Sequence, residues 1–190
     1  HLLDPCCGAG TLPLEARALQ AGLPPRRIGT LALAATRAGR DWLEAAAAVA
    51  PLEPADAAGM RYLATDRDAA AVRAARANAA TQQLLAAEAG CAALAPMQIE
   101  TRDAAEAIAQ APPGADVITN LPWGKRTDED AYVSLRRIAA ALRSRRDLGL
   151  VAVFDGSGRA HEAGLRGRRV LQYDQGGVGV ELLLLRERRR

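Results

Sequence analysis

His1-Leu2-Leu3-Asp4-Pro5-Cys6-Cys7-Gly8-Ala9-Gly10-Thr11 opens the chain, and the order of residue types in it decides the fold. A short apolar run ends in a carboxylate. A glycine turn comes next, and then a helix-compatible run over Leu12 to Gln20. Strand, tight loop and helix in that order aim backbone N–H groups and a helix N-terminus at a ligand. Gly8 and Gly10 let the chain turn sharply and let a ligand lie against the backbone. Thr11 is placed to cap the helix. Asp4 stands where the carboxyl end of a strand opens into the crevice of a parallel sheet. The loop lacks the Lys-Ser/Thr of a phosphate-binding P-loop and the third glycine of the dinucleotide fingerprint. On its own, Gly-x-Gly also suits an ordinary strand-to-helix turn.

The rest of the chain repeats the strand–helix alternation. Leu12 to Ala21 reads as a helix ended by Gly22 and Pro24-Pro25. Residues 23–59 read as an insertion with two short helices, in which Trp42 is a packing residue. Arg61 to Asp66 reads as the second strand, and Asp68 is a cap for a helix over Ala69 to Ala80. Arg73, Arg76 and Asn78 read as its solvated face. A further alanine-rich helix is expected over Leu84 to Leu94, broken by Gly90. Pro96 to Arg102 holds the third strand, and Asp103 ends it. Ala115 to Asn120 is the fourth, short and apolar as a buried parallel strand should be. A helix over Asp128 to Ser144 carries Tyr132, Leu135, Ile138 and Leu142 at helical spacing, which makes Tyr132 a core residue. Gly149 to Phe154 is the fifth strand. Arg168 to Tyr173 and Val178 to Leu185 form an antiparallel pair across Gln175-Gly176-Gly177. The expected fold is α/β: a Rossmann-like, doubly wound, seven-stranded and mostly parallel sheet with a C-terminal antiparallel hairpin.

The polar residues fall at the ends of these strands. Asp4, Asp66, Asp103 and Asn120 each close one, and a ligand in such a sheet sits over the carboxyl ends. Asp66 has two oxygens to accept the hydroxyl hydrogens of a ribose. Asp103 is equally a cap for the helix that starts at Ala104. Asn120-Leu121-Pro122-Trp123 adds a strand-ending carboxamide, a carbonyl presented by a stiff turn and a flat aromatic face. The carboxamide oxygen and the neighbouring carbonyl together offer two hydrogen-bond acceptors. Trp123 offers a stacking surface worth roughly 1–3 kcal/mol to a base.

Asp-Pro-x-x-Gly-x-Gly-Thr at the start of the chain resembles the first motif of class I S-adenosylmethionine methyltransferases. Asn-Leu-Pro-Trp resembles the Asn-Pro-Pro-Tyr/Phe motif of the members that act on exocyclic or amide nitrogens. With Gly124, Lys125 and Arg126 it is similar to the version in the THUMP-associated RNA methyltransferases, which make N2-methylguanosine. The resemblance implies S-adenosylmethionine as cofactor. It implies cofactor contacts at Asp4, Cys7, Gly8, Gly10 and Thr11, at Asp66 for the ribose, at Asp103 with Ala104 for the adenine, and at Asn120. It implies catalysis by Asn120, Leu121, Pro122 and Trp123 on guanine N2 of tRNA or rRNA, with Lys125 and Arg126 on nearby phosphates. Leu121 departs from the family's first proline, and its free N–H is expected to loosen the loop. A DNA adenine or protein glutamine methyltransferase would use the same loop, and an inert fragment would keep the fold.

Composition sets the outer bounds. The chain has 190 residues, 49% of them apolar and 25% charged, as a soluble single domain has. No apolar run approaches the ~20 residues that span a bilayer, so no membrane is expected. Cys6, Cys7 and Cys91 form no framework and suit a reducing, cytoplasmic setting. With only His1 and His161 beside them, no metal cluster is expected. The net charge is +3, but arginines thicken from Lys125 onward, as on a surface that meets a polyanion. Lys125 is the chain's single lysine, so an overall preference for arginine explains the same pattern. The chain begins inside its first strand, without methionine; residues 1–190 are therefore expected to be the catalytic part of something longer.

Overall fold

The computed structural model describes residues 1–23, 59–91, 94–122 and 128–187. Seven strands form one sheet: β1 Leu2–Asp4, β2 Tyr62–Asp66, β3 Met97–Thr101, β4 Asp116–Asn120, β5 Val151–Asp155, β6 Arg168–Gln175 and β7 Val178–Arg186. Four helices connect them: α1 Thr11–Gln20, α2 Ala69–Glu88, α3 Ala104–Gln110 and α4 Asp128–Ser144. The strand order is β3-β2-β1-β4-β5-β7-β6. β1 to β5 pair in parallel, and β7 runs antiparallel to both β5 and β6. The order reverses between β1 and β4, the place where a doubly wound sheet opens a crevice. The expected fold class is the one observed. The insertion read over 23–59, with Trp42, lies outside the described residues except at its two ends.

Alternation along the short central strands puts a core on each face. Leu2 packs with Tyr62 and Ala95, while Leu3 faces Ile108, Val117, Leu135 and Ile138 under α3 and α4. Ile108 is fully buried where α3 meets α4. Ile108→Ala is therefore expected to cost about 2–5 kcal/mol, read as a lower urea midpoint with the fold retained. Tyr132 packs at the edge of this core, and the Arg159 guanidinium lies 3.9 Å from its ring centroid.

Two local readings are corrected. Thr11 does not cap α1: Gly10 holds the N-cap position at φ 86°, and no side chain caps the helix. A second helix over Leu84 to Leu94 does not exist separately, because α2 runs unbroken to Glu88 and Gly90 ends it with φ 66°. Its middle is held from outside: buried Arg17 donates to Gln82, Gln83 and the Ala95 carbonyl, and Gln82 donates to the Leu14 carbonyl. Arg73, Arg76 and Asn78 are exposed, as the solvated face of α2 was expected to be, and two of them also make contacts. Asn78 donates to the Ala9 carbonyl at 3.0 Å, and Arg76 donates to the Ile99 carbonyl on the edge strand at 2.7 Å. Asp68 caps α2 as expected, accepting from the Ala70 N–H.

Candidate functional site

The loop after β1 is tied down at almost every residue. Cys7 N–H donates to the Thr65 carbonyl, Gly10 N–H to the Cys7 carbonyl, and Gly8 N–H to Asp66 Oδ2 at 2.9 Å. Gly10 needs to be glycine for two reasons: its positive φ, and a Cβ there would lie 3.2 Å from Leu14 and 3.3 Å from Ala75. A Cβ on Gly8 would meet nothing within 4 Å, so that side of the loop opens to the cleft.

Four carbonyl-rich strand ends converge there. Asp4 is 2% exposed and its Oδ1 accepts from Thr119 Oγ1 at 2.6 Å and from the Cys6 N–H at 3.1 Å. Asp66 Oδ1 accepts from the Asp68 N–H at 2.9 Å. Each Asp66 oxygen so engaged keeps a second lone pair for a hydroxyl. Asp103 caps α3 through the Ala105 and Glu106 N–H groups, and the Arg137 guanidinium reaches both its oxygens at 3.2 and 3.3 Å. Asn120 ends β4 and is exposed. Asp4, Asp66, Asp103 and Asn120 line one cleft of about 680 Å³, with Cys7, Gly8, Thr11, Ala104, Leu121 and Pro122. Gly10 stands behind the loop rather than in the lining. Trp123, Lys125 and Arg126 lie outside the described residues.

Leu121 is not the loose point it was expected to be. Its N–H donates to the Phe154 carbonyl at 2.9 Å and its side chain is 1% exposed. The hydrogen that proline would lack extends the β4–β5 ladder by one residue, and the leucine side chain anchors the turn in the core. Phe154 and Tyr173 also line the cleft; Phe154 stands at the end of the strand read over Gly149 to Phe154, but sequence order gave no sign of Tyr173. Phe154 is opposite Asn120 in the β4–β5 register. Tyr173 arrives from β6 only because β7 returns between them.

Burial governs the charge state. The Asp4 carboxyl is pushed up to about 7 from the ordinary 3.8, by desolvation first; the Thr119 and Cys6 hydrogen bonds oppose this and Asp66 adds to it. The Cys7 thiol is pushed up to about 12 by burial and then by Asp4 and Asp66, and Cys6 goes higher still. Both stay protonated at neutral pH, so neither serves as a nucleophile. The folded protein holds the Asp4 proton that the unfolded chain has lost above about pH 4. Stability from this group is therefore present at low pH and is lost as pH rises through about 7. Between pH 5 and pH 8 the urea midpoint of the wild type is expected to fall further than that of Asp4→Asn; equal slopes would refute the assignment.

Three carboxylates, one of them poised to ionise, beside a carboxamide suit a cationic ligand that carries hydroxyl groups. Among the described residues no group of three or more His, Cys, Asp or Glu is placed to hold a metal ion, and no helix is long and apolar enough to cross a membrane. Fold and site together define a Rossmann-like methyltransferase domain. The chain belongs to the RMKL-like methyltransferase domain family, whose model matches residues 1–137. No curated protein sequence matches it. Among solved structures it is similar to SMU.472, a protein classed as a methyltransferase and complexed with SAH (S-adenosylhomocysteine), at 16% identity and TM-score 0.68, covering 100% of this chain and 48% of that one. A protein of Clostridium difficile 630 classed as a methylase matches at 15% identity and TM-score 0.63, with 100% and 48% covered. A Listeria monocytogenes str. 4b F2365 protein classed as an N6-adenine-specific DNA methylase matches at 17% and TM-score 0.51, with 96% and 46% covered. The chain thus spans about half the length of these structures.

Proposed function

We propose that this chain is the catalytic domain of an S-adenosylmethionine-dependent enzyme that methylates an exocyclic amino group in RNA, guanine N2 of tRNA or rRNA. The observation that carries the reading is the meeting of Asp4, Asp66, Asp103 and Asn120 in one cleft. S-adenosylmethionine, when bound, supplies a methyl group on a cationic sulfur. Asp66 accepts from the ribose hydroxyls, Asp103 with the Ala104 backbone holds the adenine, and Asp4 faces the positive charge from below the loop. Asn120 Oδ1 and the Leu121 carbonyl accept the two N–H hydrogens of the target amine, which biases its lone pair towards the methyl group. Pro122 stiffens the turn that presents that carbonyl. Trp123 stacks on the base, and Lys125 and Arg126 hold phosphates beside it. The base reaches the loop only when unstacked from its neighbours. The THUMP-associated N2-guanine group is the closest fit to Asn-Leu-Pro-Trp-Gly-Lys-Arg, and the free Cys6, Cys7 and Cys91 suit a cytoplasmic protein.

The Listeria neighbour classed as a DNA methylase keeps a second reading in play, an adenine target in DNA. Methyl-labelled cofactor offered with separate RNA, DNA and protein pools decides between them. Label in RNA, recovered as N2-methylguanosine, is the expected result. Label in DNA or protein alone would overturn the RNA reading. No calorimetric heat with the cofactor would overturn the enzyme reading altogether.

A further inference from the structure

A second groove lies on the far side of α4 from the methyl-transfer cleft. Its volume is about 720 Å³. Arg136, Arg137 and Arg143 line one wall, and Glu162, Ala163 and Gly164 line the other. We propose that this groove seats the RNA backbone flanking the target nucleotide. The proposal rests on the reading of the chain as an RNA methyltransferase.

The charges in the groove do not cancel. Glu162 is already matched, at 3.5 Å, by Arg159. Arg137 shares its charge with Asp103. Arg136 is exposed and makes no ion pair or hydrogen bond among the described residues. Arg143 has no carboxylate partner there either. Its Nη1 donates to the Ala163 carbonyl at 2.9 Å. That contact depends on Gly164, where a Cβ would stand 2.5 Å from the same nitrogen. The guanidinium is thus held by the chain, a positive charge against the wall of the groove. Arg136 and Arg143 are seven residues apart, about 10.5 Å along the helix. A concave wall carrying one sign of charge focuses its field on a polyanion.

Continuity with the cleft selects the occupant. Ala131 and Ser134 of α4 line the cleft, while Arg136 and Arg137 line the groove, so the helix is a ridge between them. Arg137 spans that ridge to Asp103. A nucleotide whose base turns into the cleft must send its flanking backbone elsewhere, because the base is unstacked from its neighbours. Crossing the ridge takes that backbone past Arg137 to Arg136 and Arg143. The groove offers phosphate contacts without base readout, so it positions the strand and leaves sequence unread.

The test uses the 190-residue chain and a fluorescent, unstructured RNA oligonucleotide, titrated by anisotropy over a range of salt. Arg136→Gln is expected to reduce the slope of log affinity against log salt by ~0.7, which is about a fivefold loss at 0.1 M relative to 1 M salt. Glu162→Gln is expected to tighten binding, the opposite sign from the same groove. Calorimetry with S-adenosylhomocysteine, unchanged in both variants, separates loss of the groove from loss of the cofactor site. An unaltered slope in Arg136→Gln, or a wild type without salt-dependent RNA binding, would overturn the proposal even if methyl transfer proceeds. Tighter binding of a DNA strand of the same sequence would overturn the RNA assignment. A dimer lost on Arg136→Gln would give the groove to a second copy of the chain.

Discussion

Asn120→Ala is expected to lower methyl transfer by a factor on the order of 10²–10³, the usual loss when one preorganised polar group aimed at developing charge is removed. The heat of S-adenosylhomocysteine binding should change far less. The reasoning starts at the end of β4, where Asn120 is the last residue of the strand and is exposed in the cleft. Its neighbour Leu121 is pinned by the Phe154 carbonyl and by its own burial, so truncating Asn120 leaves the turn in place. What disappears, on the proposed function, is one of two acceptors for the amine hydrogens. Asn120→Asp keeps an oxygen at that position and should retain part of the activity. Single-turnover transfer of labelled methyl, at saturating cofactor, is the measurement. Full activity in Asn120→Ala would remove the catalytic role.

The second large effect belongs to Asp66. Asp66→Ala is expected to weaken S-adenosylhomocysteine binding by about 10-fold to 150-fold for each hydrogen bond lost to a charged acceptor. The same change also frees the Gly8 N–H and the Asp68 N–H, which both donate to this carboxylate. The glycine loop therefore loses its tie to β2 along with the proposed ribose acceptor. Asp66→Asn keeps one acceptor oxygen and should fall between the two proteins. Titration calorimetry separates them, and an unchanged affinity in Asp66→Ala would exclude Asp66 from the cofactor site.

Both predictions concern residues that were legible in the amino-acid sequence, for one physical reason. Each ends a short apolar run, and in a parallel sheet that position always opens into the crevice. The central strands β1, β4 and β5 were legible because the middle of the sheet is covered on both faces, which makes their runs mostly apolar. Helix α2 was harder. Alanine fits a helix anywhere, so its full length emerges only when Arg17 reaches Gln82 and Gln83 from another element. The cap of α1 misled because Thr11 looks like a cap, whereas the turn's need for a positive φ hands the position to Gly10. Tyr173 joins the cleft through the β5-β7-β6 order, a long-range pairing that no local pattern encodes. Asn78 and Arg76 are surface residues as read, but polar side chains on a helix give no sign of carbonyls that other elements bring within reach.

The hydrogen bond from Thr119 to Asp4 joins the residue just before Asn120 to the residue just before the glycine loop. On the proposed function, the residues that hold the methyl donor and those that hold its acceptor ride on adjacent, laddered strands, β1 and β4, bolted together at their tips. The gap that a methyl group would cross is then a dimension of the scaffold, on the scale of the ~4.8 Å between neighbouring strands. In that reading the spacing of the reactants is set when the sheet folds, and anything that slid one strand past the other would carry the mismatch straight to the reacting atoms.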